Sequence, residues 1–208
     1  MLAKQLERKF ESYPAFTFRE AEIYLGSVGE NTKNLARSLA NLKKTGRIVT
    51  IVRGVYTFNK DDLVLGHGYS PFYFGLLHAM SLREFWTLES RPEIITVRTV
   101  RRSRVHMLND RIAVSVHHIS GDRFFGYDFV KYGRFKVPVS DTEKTLIDLF
   151  YFDIKLPIQN YSIMLKSLKM KKLRKYLSKF DQKTKTKVLE FVSKYKKIAD
   201  EGRLESPY

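Results

Sequence analysis

The stretch that most constrains the fold runs from Glu30 to Phe58, where a helical pattern is followed at once by a hairpin pattern. Asn31 or Thr32 can cap the start of the helix, and Gly46 lies just past its last turn. Apolar side chains recur at the spacing of one helix face, at Leu35, Leu39 and Leu42. We therefore predict an amphipathic helix whose leucines face a core.

The face opposite the leucines is polar, and its chemistry suits the major groove of DNA. Arginine pairs with guanine and asparagine with adenine, while lysine contacts phosphates. The alternative is a solvated helix face that binds nothing. The hairpin favours DNA, because its Arg53-Gly54 turn places a basic residue where a wing needs one. The predicted DNA-binding residues are Thr32, Lys33, Asn34, Arg37, Ser38, Asn41, Lys44, Arg47 and Arg53.

Two shorter helices are predicted before this stretch. Leu2–Phe10 has apolar residues at helical spacing, and Thr17-Phe18-Arg19-Glu20 matches a capping box that opens a helix ending near Gly26. The order is helix, helix, turn, helix, hairpin. That order predicts a winged helix-turn-helix DNA-binding domain over residues 1–60.

Charge supports a nucleic-acid partner. The chain has 38 Lys and Arg against 22 Asp and Glu, a net charge of +16, so a polyanion is the expected ligand. There is no cysteine, which excludes disulfides and thiolate zinc sites. No apolar run approaches the length of a membrane span, and the N-terminus lacks a hydrophobic signal core, so no membrane partner and a cytoplasmic location are expected.

The middle of the chain predicts a second domain over residues 70–155. Lys60–Tyr69 is polar and is interpreted as the connection, and Ser70–Trp86 as one core helix. A capping-box pattern from Ser140 to Glu143 opens another mostly buried helix. Strands are predicted over 94–100, 112–118, 124–130 and 135–139.

The last segment, residues 156–208, is helical by composition and rich in lysine. It predicts two or three amphipathic helices that pack on the second domain. Their cationic faces are either a nucleic-acid surface or a soluble cap, and both interpretations stay open. The fold class is thus α+β: a winged helix-turn-helix domain, a mixed α/β domain and a helical, lysine-rich C-terminal extension.

Four arginines near the middle of the chain form a possible second basic patch: Arg98, Arg101, Arg102 and Arg104. They are either phosphate contacts or charges that discourage pairing of an edge strand.

Three segments share their order and spacing with a known family. They are Arg53-Gly54-Val55-Tyr56, His118-Ile119 followed by Phe124-Phe125-Gly126-Tyr127, and Thr142–Tyr151. Up to about Asp153 the chain resembles the AbiEi-type antitoxins, the transcriptional-regulator half of type IV toxin–antitoxin and abortive-infection systems. Residues 98–104 resemble a basic segment that family members have on a strand before the histidine.

The resemblance implies a winged-helix domain that represses the antitoxin–toxin operon. It also implies a C-terminal domain needed to neutralise a nucleotidyltransferase-like toxin, with direct contact left open. The expected DNA is an inverted repeat in the chain's own promoter, which suits a dimer or cooperative binding. The family is not known as an enzyme.

No catalytic residue, metal or cofactor is predicted. Adjacent His117 and His118 point to opposite faces of a strand and cannot both reach one ion without distortion. Glu143 and Lys144 are adjacent, whereas the nuclease arrangement needs the lysine two residues after the glutamate. One alternative is an RNA-binding or general nucleic-acid-binding factor without an antitoxin role. A metal-dependent nuclease is the third hypothesis.

Overall fold

A computed structural model of the chain describes residues 2–86, 90–99, 105–108 and 112–204, with the backbone alone for 105–108, 112 and 113. The chain divides into two compact units, Met1–Ser70 (unit 1) and Pro71–Tyr208 (unit 2). Each unit combines helices with its own sheet, so the fold is α+β.

Unit 1 contains three helices and a small antiparallel sheet. The helices are α1 (Leu2–Phe10), α2 (Phe18–Ser27) and α3 (Leu35–Lys44). The strands are β1 (Phe16–Thr17), β2 (Val49–Val52) and β3 (Val55–Thr57), in the order β1-β3-β2. The core is formed by side chains from all three helices, namely Leu6, Phe10, Ala21, Leu25, Leu35, Leu39 and Leu42, with Phe16 and Ile48.

The predicted start of α2 and end of α3 are confirmed by their caps, whereas the predicted start of α3 at Asn31 or Thr32 is wrong: a 3₁₀ turn occupies Thr32–Asn34, and α3 starts at Leu35. The Thr17 hydroxyl accepts a hydrogen bond from Glu20 N at 3.1 Å, and the Glu20 carboxylate accepts one from Thr17 N at 2.6 Å. This reciprocal capping box satisfies two N–H groups that the helix would otherwise leave unpaired. At the end of α3, Gly46 has φ 68° and Arg47 N donates to Leu42 O at 2.9 Å.

The interpretation of Lys60–Tyr69 as a polar connection is wrong. Asp62–Tyr69 forms a 3₁₀ helix in which Leu63, Val64 and Leu65 are buried. The Asp61 carboxylate accepts a hydrogen bond from Leu63 N at 2.9 Å and starts this helix. The sequence analysis gave too little weight to these three apolar residues, because aspartates and glycines surround them. This segment packs on the hairpin of unit 1.

Unit 2 is built on a six-stranded mixed sheet with the order β6-β7-β5-β4-β9-β8. Its strands are β4 (Phe72–Phe74), β5 (Glu93–Thr96), β6 (Val105–Leu108), β7 (Ile112–His118), β8 (Tyr127–Tyr132) and β9 (Phe135–Ser140). The β4–β9 and β5–β7 pairs are parallel, and the other pairs are antiparallel.

Ser70–Trp86 is not one helix, which corrects the prediction for this segment. Its first part forms β4, which pairs with both β5 and β9, and only Leu76–Leu82 is helical (α4). Gly75 lies between the two elements, at a position where a Cβ would lie 2.3 Å from Ile95 Cδ1. The aromatic segment is long enough for a helix, but its first residues are extended because they pair with two strands.

Two predicted strands have different boundaries from those expected. β5 ends at Thr96, and β8 starts at Tyr127 after a 3₁₀ turn at Gly121–Arg123. Phe124 and Phe125 therefore precede the strand, and they pack against the core of unit 2. Asn109 and Asp110, two residue types typical of a turn, precede β7 in the sequence and lie outside the described residues.

Four helices follow the sheet and complete the core of unit 2. They are α5 (Thr142–Tyr151), α6 (Ser162–Ser167), α7 (Met170–Leu177) and α8 (Gln182–Asp200). The leucines of α7 and the valines of α8 belong to the same hydrophobic cluster as Leu146, Ile147 and Leu149 of α5. The C-terminal helices are therefore part of this core. Among the described helices, none combines the length and apolar character that a membrane span requires.

The cap of α5 differs from the predicted one. Asp141, not Ser140, is the N-cap, and its Oδ1 accepts a hydrogen bond from Lys144 N at 2.9 Å. Glu143 does not act as the capping-box partner. Its Oε1 instead accepts a hydrogen bond from Lys169 N at 2.8 Å.

Candidate nucleic-acid interface

Helix α3 has one buried apolar face and one exposed polar face. Leu35, Leu39 and Leu42 are at most 4% exposed. On the opposite side, three of the predicted DNA-binding side chains are exposed, namely Arg37, Asn41 and Lys44. The 100° rotation per residue brings these three onto one surface of the helix. The small residues Ala36 and Ala40 lie beside them and are also exposed.

The other predicted residues of this segment lie at its start and along its edge. Thr32, Lys33 and Asn34 form a 3₁₀ turn directly before α3, and the Asn31 side chain caps that turn by accepting from Lys33 N at 2.9 Å. Thr32 and Ser38 are half-buried, whereas Lys33 and Asn34 are exposed. Ser38 and Asn41 also line a shallow groove beside the N-terminus of α1.

Arg47 has a partner that sequence reasoning did not anticipate. Its guanidinium forms an ion pair with Glu7 of α1, and both side chains are partly exposed. The Glu7 carboxylate thus neutralises the charge that was expected to contact DNA. The two residues are far apart in sequence, so only the packing of α1 near the end of α3 brings them together.

The β2–β3 hairpin presents Arg53 at its tip. Arg53 is exposed, and Gly54 beside it has φ 82°, a conformation that glycine adopts without steric cost. The Gly54 carbonyl accepts a hydrogen bond from Phe18 N at 3.0 Å, and β1 pairs with β3. The turn of the hairpin is therefore attached to the start of α2, which fixes its position.

The second basic patch is only partly described. Arg98 is exposed, and its carbonyl lies 3.2 Å from His118 Nδ1. Arg101, Arg102 and Arg104 lie outside the described residues, so the structure does not test this patch.

The segment with the strongest family resemblance, Thr142–Tyr151, lies in the interior of unit 2. Lys144 and Asp148 form an ion pair one helical turn apart, and both side chains are 0% exposed. Lys144 Nζ donates to the Tyr73 hydroxyl at 2.7 Å, and that hydroxyl donates to Asp148 Oδ2 at 2.9 Å. We call Tyr73, Lys144 and Asp148 the buried triad.

Opposing effects act on the ionisation of the buried triad. Burial lowers the pKa of Lys144 and raises the pKa of Asp148, while the attraction between the two charges opposes both changes. Burial together with the Asp148 carboxylate also raises the pKa of Tyr73. Lys144 Nζ additionally lies 5.7 Å from the ring centre of Phe125 and 5.4 Å from that of Phe180. Aromatic faces thus replace part of the solvation that the ammonium loses.

A second cluster connects α5 to α7. Lys172 Nζ lies 3.0 Å from Asp141 Oδ2 and 3.1 Å from Glu143 Oε2. The Tyr176 hydroxyl donates to Asp141 Oδ2 at 2.9 Å, and burial plus this hydrogen bond raises the pKa of Tyr176 to about 12. These acidic residues therefore attach the C-terminal helices to the rest of unit 2.

The sequence left open whether Asp148 faces a neighbouring strand or the predicted winged domain, and its contact with Tyr73 on β4 shows that it faces the strand. The Lys144–Asp148 pair itself was missed. Its signal was present as a lysine and an aspartate at i and i+4 in a helix that is otherwise apolar on most sides. Within the described residues, no three His, Cys, Asp or Glu side chains are grouped as metal ligands.

Comparison with known structures identifies a shared fold. The chain is similar to the Rv2827c protein from Mycobacterium tuberculosis, with a TM-score of 0.60. The similarity covers 92% of this chain and 75% of that chain, at 12% sequence identity. At this identity the likeness defines the fold alone. No protein-family model matches the sequence, and no curated protein matches it.

Proposed function

We propose that unit 1 is a winged helix-turn-helix domain and that the chain is a sequence-specific DNA-binding repressor. The observation that supports this most directly is the exposed face of α3, where Arg37, Asn41 and Lys44 lie opposite three buried leucines. A hairpin with exposed Arg53 at its tip follows the helix. A recognition helix and a wing need this combination.

In this proposal α3 enters the major groove. Arg37 and Asn41 contact base edges, while Lys44 contacts a phosphate. The exposed Ala36 and Ala40 leave room for the groove walls. Arg53 contacts the backbone or the minor groove beside the site. The remaining predicted residues at the start of α3 support phosphate contacts.

The reading face is tested by comparing Arg37→Ala with Lys44→Ala. Loss of Arg37 should remove about 1–3 kcal/mol of discrimination between the correct and the wrong base, because its base contact is lost. Loss of Lys44 should weaken binding to all sequences alike. Titrations on the chain's own upstream DNA and on scrambled duplex measure both effects.

A matched control is Lys131→Ala, which removes an exposed charge from β8 of unit 2. It should leave the discrimination between the two DNAs unchanged. Equal losses on both DNAs for Arg37→Ala and Lys44→Ala would show that the reading face has been assigned wrongly.

We further propose that the chain is the antitoxin of a type IV toxin–antitoxin system. Support comes from the three segments that resemble AbiEi-type antitoxins. The longest of them is buried in unit 2, so its residues define the interior of that unit, and any surface that acts on a toxin must lie elsewhere. In this system the chain represses its own operon at an inverted repeat and counteracts a nucleotidyltransferase-like toxin.

Co-expression with the neighbouring toxin gene tests the antitoxin role. When both genes are transcribed from unrelated promoters, the wild-type chain should relieve lethality. Arg37→Ala should also relieve it, because neutralisation is assigned to unit 2. Absence of rescue by the wild type would remove the antitoxin role and leave a plain repressor.

A further inference from the structure

Positive charge is concentrated in the C-terminal helices. Residues 156–208 contain fourteen Lys and Arg against five Asp and Glu, so they supply +9 of the net +16. Much of this charge lies on α7 and α8, outside the reading face of unit 1. A separate explanation is therefore needed for it.

The outer face of α7 is entirely cationic. Lys171, Arg174 and Lys175 are exposed on this helix, and exposed Lys179 follows it. Together we call these four residues the α7 patch. Leu173 and Leu177 on the opposite side are at most 3% exposed and belong to the core. Like charges three and four residues apart destabilise a helix, so packing must maintain α7 against this repulsion.

Some neighbouring lysines on the same helices differ from the α7 patch because they form ion pairs with carboxylates. Lys172 is bridged to Asp141 and Glu143, and Lys196 lies 3.0 Å from Asp200. No member of the α7 patch makes an ion pair with a carboxylate in the part of the chain that the structure describes. The patch therefore concentrates four charges without a direct ion pair among the described residues, although the Asp122 carboxylate interacts with Lys179 at longer range.

The chemistry of this surface limits what it can recognise. Three of the four residues of the α7 patch are lysines, which contact phosphates as point charges. Among the described residues of 162–204, no aromatic ring is exposed; Tyr176 and Tyr195 are half-buried. Proteins that bind single strands use exposed aromatic rings to stack on the bases. The α7 patch is therefore suited to the backbone of a duplex, independently of its sequence.

We propose that the α7 patch binds the phosphodiester backbone of duplex nucleic acid. This binding is separate from sequence reading by unit 1 and does not depend on it. Duplex DNA and duplex RNA present the same phosphate chemistry, and the experiment distinguishes them.

The test uses the full chain with all four patch residues neutralised, as Lys171→Gln, Arg174→Gln, Lys175→Gln and Lys179→Gln. The control removes the same charge at four exposed positions elsewhere, as Lys60→Gln, Lys131→Gln, Lys136→Gln and Lys155→Gln. Far-ultraviolet circular dichroism and fluorescence of the single tryptophan, Trp86, establish that both variants fold.

Affinity for an unrelated duplex is measured between about 50 and 200 mM salt, because each lost phosphate contact reduces the slope of log K against log salt by about 0.9. We expect the patch variant to lose up to about 3.6 from the slope on DNA, and the control to lose less than about 1. If the slope of the patch variant also falls on duplex RNA, or falls on duplex RNA only, the same phosphate contact is supported and the nucleic acid that the patch binds is identified.

Two results would overturn the proposal. One is an equal slope change in the patch and control variants on both duplexes. The other is a loss restricted to single-stranded oligonucleotides. The patch variant should keep the wild-type preference for upstream over scrambled DNA, whereas Arg37→Ala loses it. A failure of this proposal is thereby separated from a failure of sequence reading.

Discussion

Replacing Lys144 by Met should be among the most damaging single changes in unit 2. Lys144 and Asp148 are both 0% exposed, so the Asp148 carboxylate cannot be solvated once its cation is gone. It would keep only the hydrogen bond from Tyr73 within the buried triad. Breaking a buried pair from one side typically costs about 3–5 kcal/mol, and we expect that loss of unfolding free energy here.

Removing the whole triad should cost much less. Asp148→Leu combined with Lys144→Met removes both charges but leaves the buried Tyr73 hydroxyl without these partners, at a cost of about 1–3 kcal/mol. Adding Tyr73→Phe removes that hydroxyl. The triple variant should therefore approach wild-type stability, because apolar groups of similar volume can replace a buried ion pair.

Urea unfolding followed by fluorescence gives these values for unit 2. Trp86 is the only tryptophan of the chain, and it packs against the core of this unit. A transition monitored through Trp86 therefore reports unit 2 rather than unit 1. The single variants Lys144→Met and Asp148→Leu are measured beside the double variant. If each single variant loses less than about 1 kcal/mol of unfolding free energy, or if the two losses simply add in the double variant, the triad is not a coupled buried network.

Four further substitutions test other features. Gly126→Ala should destabilise unit 2 by about 2–5 kcal/mol, because a Cβ at this φ of +74° would lie 2.8 Å from Tyr176 and 2.9 Å from Lys144. Gly133→Ala, at a φ of +54° with no atom within 4 Å, should cost only about 1–2 kcal/mol, and equal losses in urea unfolding would contradict the packing explanation. Burial lowers the pKa of His78 from 6.5 to about 4, so the unfolded chain binds more protons between these values and unit 2 should lose up to about 3 kcal/mol as pH falls through them. His78→Asn should flatten this dependence of the Trp86 transition, and an unchanged dependence would exclude His78 as its source. Glu7→Gln should change stability by less than about 1 kcal/mol, since the Glu7–Arg47 pair is exposed, yet freeing Arg47 should steepen the salt dependence of DNA binding by up to about 0.9. An unchanged salt slope would remove Arg47 from the DNA-binding residues.

The elements of unit 1 were predictable because local signals agree there. The Thr17–Glu20 capping box, the leucine spacing of α3 and Gly46 each mark a boundary within a few residues of sequence. The hairpin turn at Arg53-Gly54 is equally local. Asp62–Tyr69 was misjudged, because its three buried residues lie among polar and glycine residues and gain their stability from packing on the hairpin. The short strand β1 and the 3₁₀ turn before α3 were not predicted either.

Unit 2 was less predictable because distant pairings decide its structure. Phe72–Phe74 lacks the alternation of apolar and polar residues that would distinguish a strand from a buried helix. It forms a strand because it pairs with β5 and β9. The third member of the buried triad, Tyr73, lies 71 residues before Lys144. A spacing rule within one helix can indicate the Lys144–Asp148 pair, but it cannot identify a partner on another strand.

Among the predicted DNA-binding residues, some positions follow from local helix geometry and others depend on tertiary packing. Arg37, Asn41 and Lys44 share one exposed face because a regular helix guarantees it. Arg47 was chosen for its charge, and its pairing with Glu7 depends on how α1 packs, which the spacing of residues does not reveal. The α7 patch was visible as a lysine-rich tail. Which lysines lack carboxylate partners became clear only from Lys172 and Lys196, whose partners lie on α5 or one turn away.

The most direct test of the proposed function is a binding titration of the full chain on its own upstream DNA and on scrambled duplex of equal length. The salt concentration must be fixed near the physiological value, because phosphate contacts make affinity steeply dependent on it. The proposal predicts a preference for the upstream DNA of at least about a thousandfold, the lower end of specific recognition. Equal affinity for the two duplexes would contradict sequence reading by α3 and would leave only general binding to polyanions.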